Sequence, residues 1–290
     1  MLLVQLIING IQVGALYGLT AVGFSLIFGA TKVFHFAHGA SFAISAYVFY
    51  YCYVVLDAGW PISIVACSIA VVCFGVALDR YVYGPIQRSD GSFFTVFVAS
   101  FGVAVVVQNL IGTVFGRGFI SVPSVLSKSV ELAPGLYVAP TAGIAIVIAA
   151  ACFIALQLFL GRTNIGIALR ALSESPNLVR TYGLNPKAIS TCAFALGSLL
   201  VVPAAVLTSM TSGLNAAIGG RVMLISVAAT IVGGVGSLRG AACAGLLLGI
   251  AENLAVWRFD PQWSEAVTFI ILFTFIVLRP SGFFGRAVTS

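Results

Sequence analysis

Residues 233–252 have the sequence Gly-Gly-Val-Gly-Ser-Leu-Arg-Gly-Ala-Ala-Cys-Ala-Gly-Leu-Leu-Leu-Gly-Ile-Ala-Glu, and this stretch decides the fold class. Its glycine-dense beginning predicts a turn, and the apolar run that follows predicts a helix. Gly245 and Gly249 stand four positions apart on that helix, a spacing that lets two membrane helices approach closely. Glu252 then places a carboxylate in apolar surroundings, where an ionisable residue indicates function. The pattern is typical of a closely packed membrane helix and points towards transport.

The composition of the whole chain points to the same class. Hydrophobic residues make up 60% of the 290 residues and charged residues only 8%, and the mean hydropathy is +1.12. A soluble domain carries roughly one-quarter charged residues. We therefore expect an all-α polytopic membrane protein that forms a single transmembrane domain over residues 1–290. The predicted membrane helices, about eight or nine in number, cover residues 4–29, 40–56, 61–80, 92–114, 139–160, 189–211, 222–234, 240–256 and 265–279.

One predicted helix, at residues 222–234, is too short to cross a bilayer, because about 13 residues rise only about 20 Å. It should be a half-helix or re-entrant helix buried among its neighbours, since exposed irregular backbone is not tolerated in lipid. The first span lacks the positively charged start of a secretory signal and is expected to be retained. The six cysteines contain no C-x-x-C pair and are interpreted as small core residues.

The net charge of +6 is interpreted as membrane topology and not as affinity for nucleic acid. Ten of the fourteen Lys and Arg residues fall on one side of the alternating spans, and the other four share the opposite side with acidic residues. The positive-inside rule places the basic side in the cytoplasm. The C-terminus and residues 162–187 should therefore be cytoplasmic. The N-terminus and the loops at 57–60, 115–138 and 257–264 should face outward.

The first predicted helix has two different faces. Gly10, Gly14 and Gly18 cluster on one side at 100° per residue, and small residues of this kind allow close helix contacts. The opposite side carries the polar residues Gln5, Asn9, Gln12 and Thr20. Amides within a membrane need hydrogen-bond partners or water. These residues either line a solute path or bond across helices inside a closed bundle, and both interpretations stay open.

Two further features are candidates for a solute path. Thr95, Gly102 and Asn109 recur every seven residues on one face of the fourth span. Glu252 lies near the outer end of its span, where it either faces the path or forms a structural pair with Arg258. Thr95, Asn109 and Glu252 therefore join the four polar residues of the first helix as predicted path residues.

Residues 162–187 form an unusually long polar connection, and long connections tend to be functional or disordered. Its apolar residues recur at the spacing of an amphipathic helix: Ile165, Ala168, Leu169 and Leu172. A second, short helix should begin with Ser175 as N-cap and Pro176 as its first residue, and should stop at Gly183.

The two short helices would form a knob that docks into a partner protein. Besides the capping residues, four polar residues are predicted to contact the partner or brace the knob: Arg170, Glu174, Asn177 and Arg180. The alternative is a basic helix lying on the lipid surface.

His35 and His38 are the only histidines of the chain. No cysteine or carboxylate stands beside them at a ligand spacing, so a metal site with three or four ligands would need distant residues. We predict no metal site and expect the two side chains to form hydrogen bonds near a helix end.

Several motifs together resemble the membrane subunits of high-affinity branched-chain amino acid ABC importers (LivH type). They are the glycine block at 233–252, Phe36-Ala37-His38-Gly39, and Arg170-Ala171 followed by Tyr182-Gly183-Leu184-Asn185. The motifs occur in the family's order over almost the whole chain. The family often has Asn in place of His35 and an acidic residue in place of Ala40. The resemblance implies that the substrate is a branched-chain amino acid. The two departures widen this expectation to another small hydrophobic amino acid or a related small solute.

The resemblance also implies the partners. A permease of this kind works in the bacterial inner membrane beside a paralogous second permease, with two ABC ATPase subunits below and a solute-binding protein outside. The family's coupling segment corresponds to residues 162–187. ATP and Mg²⁺ would be used by the ATPase subunits, since this chain has no G-x-x-x-x-G-K-[ST] loop.

We therefore predict a translocation subunit that is not an enzyme, binds no cofactor and no nucleic acid, and contacts membrane lipid. The alternative is a stand-alone ion-coupled carrier of a small solute, which would normally need several ionisable groups within the membrane.

Overall fold

The structure is a computed structural model that describes residues 2–89, 91–260, 263–279 and 281–285. Helices make up most of it, which confirms an all-α polytopic membrane protein. The helices are α1 Leu2–Thr31, α2 His38–Tyr50, α3 Gly59–Ala77, α4 Gly84–Arg88, α5 Phe93–Val114, α6 Pro140–Arg162, α7 Asn164–Glu174, α8 Pro176–Thr181, α9 Pro186–Thr211, α10 Ile218–Gly233, α11 Leu238–Ala255 and α12 Ser264–Leu278. Strands β1 Val130–Ala133 and β2 Leu136–Val138 pair in an antiparallel hairpin.

Six helical segments are long and apolar enough to cross a membrane: Leu2–Thr31, Gly59–Arg88, Phe93–Val114, Pro140–Arg162, Pro186–Thr211 and Leu238–Ala255. α10 and α12 are shorter apolar helices. The segment Gly59–Arg88 is continuous because a π-helical stretch, Leu78–Tyr83, joins α3 to α4. α2 is likewise extended by a π-helical turn over Tyr51–Val55.

α1 lies at the centre of the bundle and packs against α6, α9, α10 and α11. Most residues of its second half are buried, whereas α5 and α6 carry many exposed apolar side chains. Burial of apolar surface holds helices together in water, but in lipid close van der Waals packing takes over that role. The position of α1 therefore makes its contacts decisive for assembly of the bundle.

Two short helices, α2 and α10, begin inside the bundle. After α1 the chain turns at Lys32, which has a left-handed φ of 57°, and runs back to His38, whose Nε2 lies 3.1 Å from the Thr20 carbonyl oxygen. The first turns of α2 and α10 cross where the backbones of Gly39 and Gly219 touch. α10 is 16 residues long and mostly buried, as expected of a short helix that cannot face lipid at its irregular end.

Two predicted span boundaries were wrong, and both were drawn at charged residues. The third span was predicted to end at 80, but the helical segment continues to Arg88. Asp79 lies within this segment and accepts hydrogen bonds from Ser190 Oγ at 2.8 Å and Thr191 Oγ1 at 2.6 Å. The seventh was begun at 222, but α10 starts at Ile218 and includes Arg221. Charged groups that find partners inside the bundle do not end a helix.

The connection at 115–138 was predicted only as an outward loop, and the structure shows that it contains the β hairpin. Gly135 makes its turn at a φ of 77°, and Glu131 Oε1 accepts a hydrogen bond from the Gly135 amide at 3.1 Å. A second contact ties the loop down, since Ile120 and Leu214 exchange backbone hydrogen bonds of 2.9 and 2.7 Å. The connection is thus an ordered part of the fold, and its strand β2 contacts Gln5 near the start of α1.

Candidate functional site

The glycines predicted to pack helices meet at one seam between α1 and α11. A Cβ on Gly14 would lie 2.8 Å from the Cα of Leu246, and a Cβ on Gly245 would lie 2.5 Å from the Cα of Gly18. Gly10 and Gly249 are equally close to the facing backbone. The two helices run antiparallel and touch backbone to backbone, which no larger residue at these positions would permit.

The polar face of α1 is divided between separate environments. Gln5 binds the hairpin, because its Oε1 accepts from the Tyr137 amide at 2.9 Å and its Nε2 donates to the Tyr137 carbonyl at 2.6 Å. Gln5 Nε2 also lies 3.1 Å from Asn9 Oδ1. Gln12 is half-buried on the same helix. These contacts tie the outer end of α1 to the hairpin, and a path-lining role for Gln5, Asn9 and Gln12 stays a prediction.

Thr20 lies deeper in the bundle. It is buried, its Oγ1 donates to the Tyr17 carbonyl at 2.9 Å, and it accepts a hydrogen bond from Ser226 of α10 at 3.0 Å. Thr20 therefore joins α1 to α10 at the wall of a cavity that it helps to line.

This cavity, which we call the outer cavity after the predicted topology, has a volume of about 350 Å³ and lies between α1, α2, α9, α10 and α12. Its polar lining includes Tyr17, Thr20, Thr208, Thr211, Asn215 and Arg221. Its apolar lining includes Leu16, Phe42, Ile218, Val222 and Ile225. A cavity of this size, lined by both polar and apolar residues, has room for a small molecule.

Arg221 is the central charge beside the outer cavity. Its Nη2 lies 2.8 Å from Glu252 Oε1, and its Nε lies 2.8 Å from Glu265 Oε1. The predicted structural pair of Glu252 with Arg258 was therefore wrong: α10 begins early enough to bring Arg221 against the carboxylate, while Arg258 is exposed beyond the end of α11. The Tyr17 side chain also faces Glu252.

The candidates on α5 lie elsewhere. Thr95 takes part in the cap of α5, since its amide donates to Ser92 Oγ at 3.3 Å. Asn109 Nδ2 donates to the Val105 carbonyl at 2.8 Å, and its Oδ1 accepts from Arg117 at 3.3 Å. Both side chains are exposed, on a helix that contributes none of the described residues lining the outer cavity.

Beside α5 a smaller hollow of about 160 Å³ opens between α2, α5 and α10. Gly39, Phe101, Gln108 and Gly220 are among its lining residues. A Cβ on Gly102 or Gly220 would meet no atom within 4 Å, so this side of the bundle is open. The exposed apolar face of α5 thus borders a hollow and not a filled core.

His35 is part of a buried hydrogen-bond chain. Its Nδ1 lies 2.8 Å from the Tyr83 hydroxyl, which donates to Ser100 Oγ at 2.8 Å. Ser100 also accepts from the Ala37 amide at 2.8 Å. These bonds anchor the segment between α1 and α2 to α5 and to the end of α3. Within the described ranges, no three His, Cys, Asp or Glu side chains are grouped as metal ligands would be.

The segment at 162–187, called cytoplasmic after the predicted topology, has the capped helices that the sequence predicts. Ser175 Oγ accepts from the Asn177 amide at 3.2 Å, and α8 begins at Pro176. Gly183 has a φ of 73°, and the Leu184 amide donates to the Val179 carbonyl at 3.1 Å, which closes the C-terminal end of α8. Val179 is buried and anchors the short helix. Asn185 caps α9 through the Lys187 amide at 3.0 Å.

One residue of the predicted amphipathic face was misplaced. Ala168, Leu169 and Leu172 are buried, but Ile165 is 49% exposed. The reason is the tight corner between α6 and α7, where the backbone of Gly166 packs against Leu160 and leaves the first turn of α7 projecting. The polar residues predicted for partner contact are exposed on the same segment: Arg170, Glu174, Asn177 and Arg180.

A polar cleft of about 670 Å³ separates α7 and α8 from the cytoplasmic ends of α1, α4 and α9. Lys32, Arg80, Arg88, Arg180 and Lys187 line it, together with the acidic Asp79 and Glu174. The cleft is the most strongly basic cavity described on this chain.

Sequence reasoning missed Tyr17, Asp79, Arg221 and Glu265 as structural or site residues. Arg221 was left outside the predicted spans, and Asp79, within the third predicted span, was given no role. The sequence signal that could have indicated Asp79 and Arg221 is position, since each stands within or beside a long apolar run. The structure shows that each faces polar residues of another helix.

The chain matches the family model described as the branched-chain amino acid transport system permease component over residues 6–276. It is 28% identical to the high-affinity branched-chain amino acid transport system permease protein BraD of Pseudomonas aeruginosa, over 97% of this chain and 95% of that protein. It is 26% identical to the corresponding permease protein LivH of Escherichia coli, with the same coverage.

Among solved structures, the chain is similar to PsaBC from Streptococcus pneumoniae, determined in complex with Fab. The TM-score is 0.54, and the alignment covers 94% of this chain and 91% of that chain. The sequence identity of 14% limits this similarity to the fold. The family model spans the glycine block, the segment at 162–187 and nearly all of the membrane helices. The chain therefore belongs to the family of branched-chain amino acid transport system permease components.

Proposed function

We propose that this chain is the membrane-spanning subunit of an ABC importer that moves a branched-chain or other small hydrophobic amino acid, or a related small solute, across the bacterial inner membrane. Family membership supports transport. The observation that carries the ABC assignment is the pair of capped helices α7 and α8, which projects from the end of the bundle opposite the hairpin with its polar residues exposed. Such a knob gives an ATPase a rigid element to move.

Two ATPase subunits would bind the α7–α8 segment from the cytoplasm and would hydrolyse ATP with Mg²⁺. The exposed apolar side chains Ile167, Tyr182 and Leu184 and the exposed Arg170 and Arg180 offer both kinds of contact. The permease itself would carry out no chemistry and would need no cofactor of its own. Its contribution would be a path that opens and closes as the ATPases change shape.

A paralogous second permease would cover the exposed apolar face of α5. Phe101, Val105 and Leu110 are exposed there, next to the hollow between α2, α5 and α10. A solute-binding protein would deliver the solute at the end of the bundle that carries the hairpin. Thr95 and Asn109 on α5 and Thr20 and Glu252 beside the outer cavity remain the proposed contacts along the solute path.

The decisive experiment is uptake by the reconstituted assembly. The chain is co-expressed with the permease, ATPase and binding-protein genes of its own locus and placed in liposomes. We expect uptake of a branched-chain amino acid that requires internal ATP and the binding protein. Uptake by the chain alone, driven by a proton or sodium gradient, would instead support the stand-alone carrier and refute the ABC assignment.

The proposed topology makes a separate prediction. In a variant whose six native cysteines are replaced, Lys128→Cys should react with a membrane-impermeant maleimide added to intact cells, because the positive-inside rule places the hairpin loop outside. Tyr182→Cys should react only after the cells are opened. Both side chains are exposed, so accessibility within the protein does not limit either reaction. The opposite labelling pattern would invert the topology.

A further inference from the structure

The outer cavity combines charges of both signs in a largely apolar setting. Arg221 faces two carboxylates, Glu252 and Glu265, at 2.8 Å each. Glu252 is buried, with its side chain only 7% exposed, whereas the side chains of Arg221 and Glu265 are 48% and 49% exposed. The buried carboxylate therefore holds Arg221 in place, and the second pair stands open to the cavity.

This cluster has unused hydrogen-bonding capacity of both signs. A guanidinium offers five N–H donors, and the two ion pairs take Nη2 and Nε. On the acidic side, Glu265 pairs with Arg221 through Oε1, and its side chain is half-exposed. With one guanidinium and two carboxylates the cluster has a net charge of −1. A ligand that brings only a negative charge would meet two carboxylates, and one that brings only a positive charge would compete with Arg221.

A zwitterion avoids both penalties. Its carboxylate can replace Glu265 on Arg221 while its ammonium group pairs with the released Glu265, so the number of paired charges rises and the net charge is unchanged. The exchange is inexpensive at Glu265 because that ion pair is half-exposed, and exposed pairs contribute little stability. The same exchange at Glu252 would leave a buried charge unpaired, which is strongly unfavourable.

The remaining walls favour an aliphatic side chain. Leu16, Phe42, Val222 and Ile225 line the cavity next to the charges, while Thr208 and Asn215 supply polar contacts on the side of α9. The volume of about 350 Å³ lies at the lower end of the range for small-ligand pockets. The cavity is thus small and is lined by aliphatic and aromatic side chains together with the charged Arg221 and Glu265.

We propose that the outer cavity is a binding site for a zwitterionic aliphatic amino acid, with the α-carboxylate on Arg221, the α-ammonium group on Glu265 and the side chain against Phe42 and Val222. The site lies within one permease subunit and deepens the proposed function, on which its role in transport rests. Glu252 acts as the positioning residue that holds Arg221.

The test measures protection of a single cysteine by a ligand. Thr208→Cys is introduced into the cysteine-free assembly in nanodiscs, and its labelling by a small maleimide is followed with leucine, isoamylamine or 4-methylpentanoate as probes. Leucine should protect at a concentration at least about tenfold lower than either analogue, since each analogue lacks one of the two charges. Ser212→Cys, at an exposed position of the cavity rim, serves if Thr208→Cys is poorly folded.

Two variants separate ligand contact from a purely structural role. Glu265→Gln should raise the protecting concentration of leucine about tenfold or more and lower that of 4-methylpentanoate, because the carboxylate of this probe no longer competes with Glu265 for Arg221. The double variant Arg221→Gln, Glu252→Gln, which leaves no buried unpaired charge, should also raise the protecting concentration of leucine. It should lower that of isoamylamine, because Glu265 is then free to pair with the ammonium group of this probe. Asp57→Asn is the matched control, since this exposed carboxylate lies in a loop outside the cavity and should change none of the values.

Equal effects on all three probes would mean that the cluster only ties α10 to α11 and α12, and would overturn the site. Absence of leucine protection in the wild-type assembly would overturn it as well, whether or not that assembly transports leucine. Uptake is scored separately, so a transporting assembly without protection leaves the proposed function intact and refutes only this site. Selective protection without any uptake supports the site and refutes the proposed function.

Discussion

Replacing residues 175–183 with a Gly/Ser linker of equal length is expected to leave the membrane bundle folded and to abolish stimulation of the ATPase by the solute-binding protein. α8 is short but rigid, because Ser175 caps its start, Gly183 closes its end and the buried Val179 holds it against the rest of the segment. α9 follows at once with its own cap. A Gly/Ser linker behaves as flexible coil and cannot transmit a displacement from the ATPase to α9.

The measurements are binding-protein-stimulated ATP hydrolysis and co-purification of the ATPase subunits in detergent. Thr181→Ala is the matched control, since its exposed hydroxyl bonds only to the Asn177 carbonyl of its own helix at 3.1 Å, and alanine is the better helix former. We expect this control to keep full stimulation. Full stimulation and uptake by the linker variant would contradict the proposal and favour a helix that merely lies on the lipid surface.

The local elements of this fold could be predicted because their causes are local. A glycine every fourth residue, a Ser-Pro cap and a terminating glycine act through backbone sterics and hydrogen bonds of neighbouring residues. α8 and the glycine faces of α1 and α11 were therefore predicted from sequence alone, whereas the pairing of these two helices with each other was not. Ile165 was misplaced on α7 because its burial depends on the corner between α6 and α7, which periodicity does not describe.

The charged residues could not be placed in the same way. Arg221 was left outside the predicted spans, and Asp79, near the end of the third span, was given no partner. An unpaired charge in a membrane is costly, so both need partners. Their partners are far along the chain: Ser190 and Thr191 for the first, Glu252 and Glu265 for the second. Pairing across helices depends on the tertiary arrangement. The part of the site formed by such pairs, the outer cavity, was thus missed, while the cytoplasmic knob was found.

Gly14→Leu and Gly245→Leu are expected to damage assembly of the bundle. Even the Cβ of a larger residue at Gly14 would lie 2.8 Å from both the Cα and the carbonyl oxygen of Leu246, and at Gly245 it would lie 2.5 Å from the Cα and amide nitrogen of Gly18. The obstacles are backbone atoms, which cannot move aside as a side chain can. Overpacking of this kind typically costs about 1–3 kcal/mol, and α1 carries further contacts with α6, α9 and α10 that the separation would loosen.

Gly143→Leu on α6 is the matched control, because a Cβ there would meet no atom within 4 Å. Replacing a helical glycine removes a propensity penalty of about 1 kcal/mol, so this variant should be neutral or slightly stabilised. All three variants replace a helical glycine with leucine, and they differ only in the space around the new side chain. Thermal unfolding in detergent and the yield of monodisperse protein should therefore fall for the two seam variants and not for the control. Equal stability of all three would show that α1 and α11 can separate without loss, and the bundle would then owe its stability to the other contacts of α1.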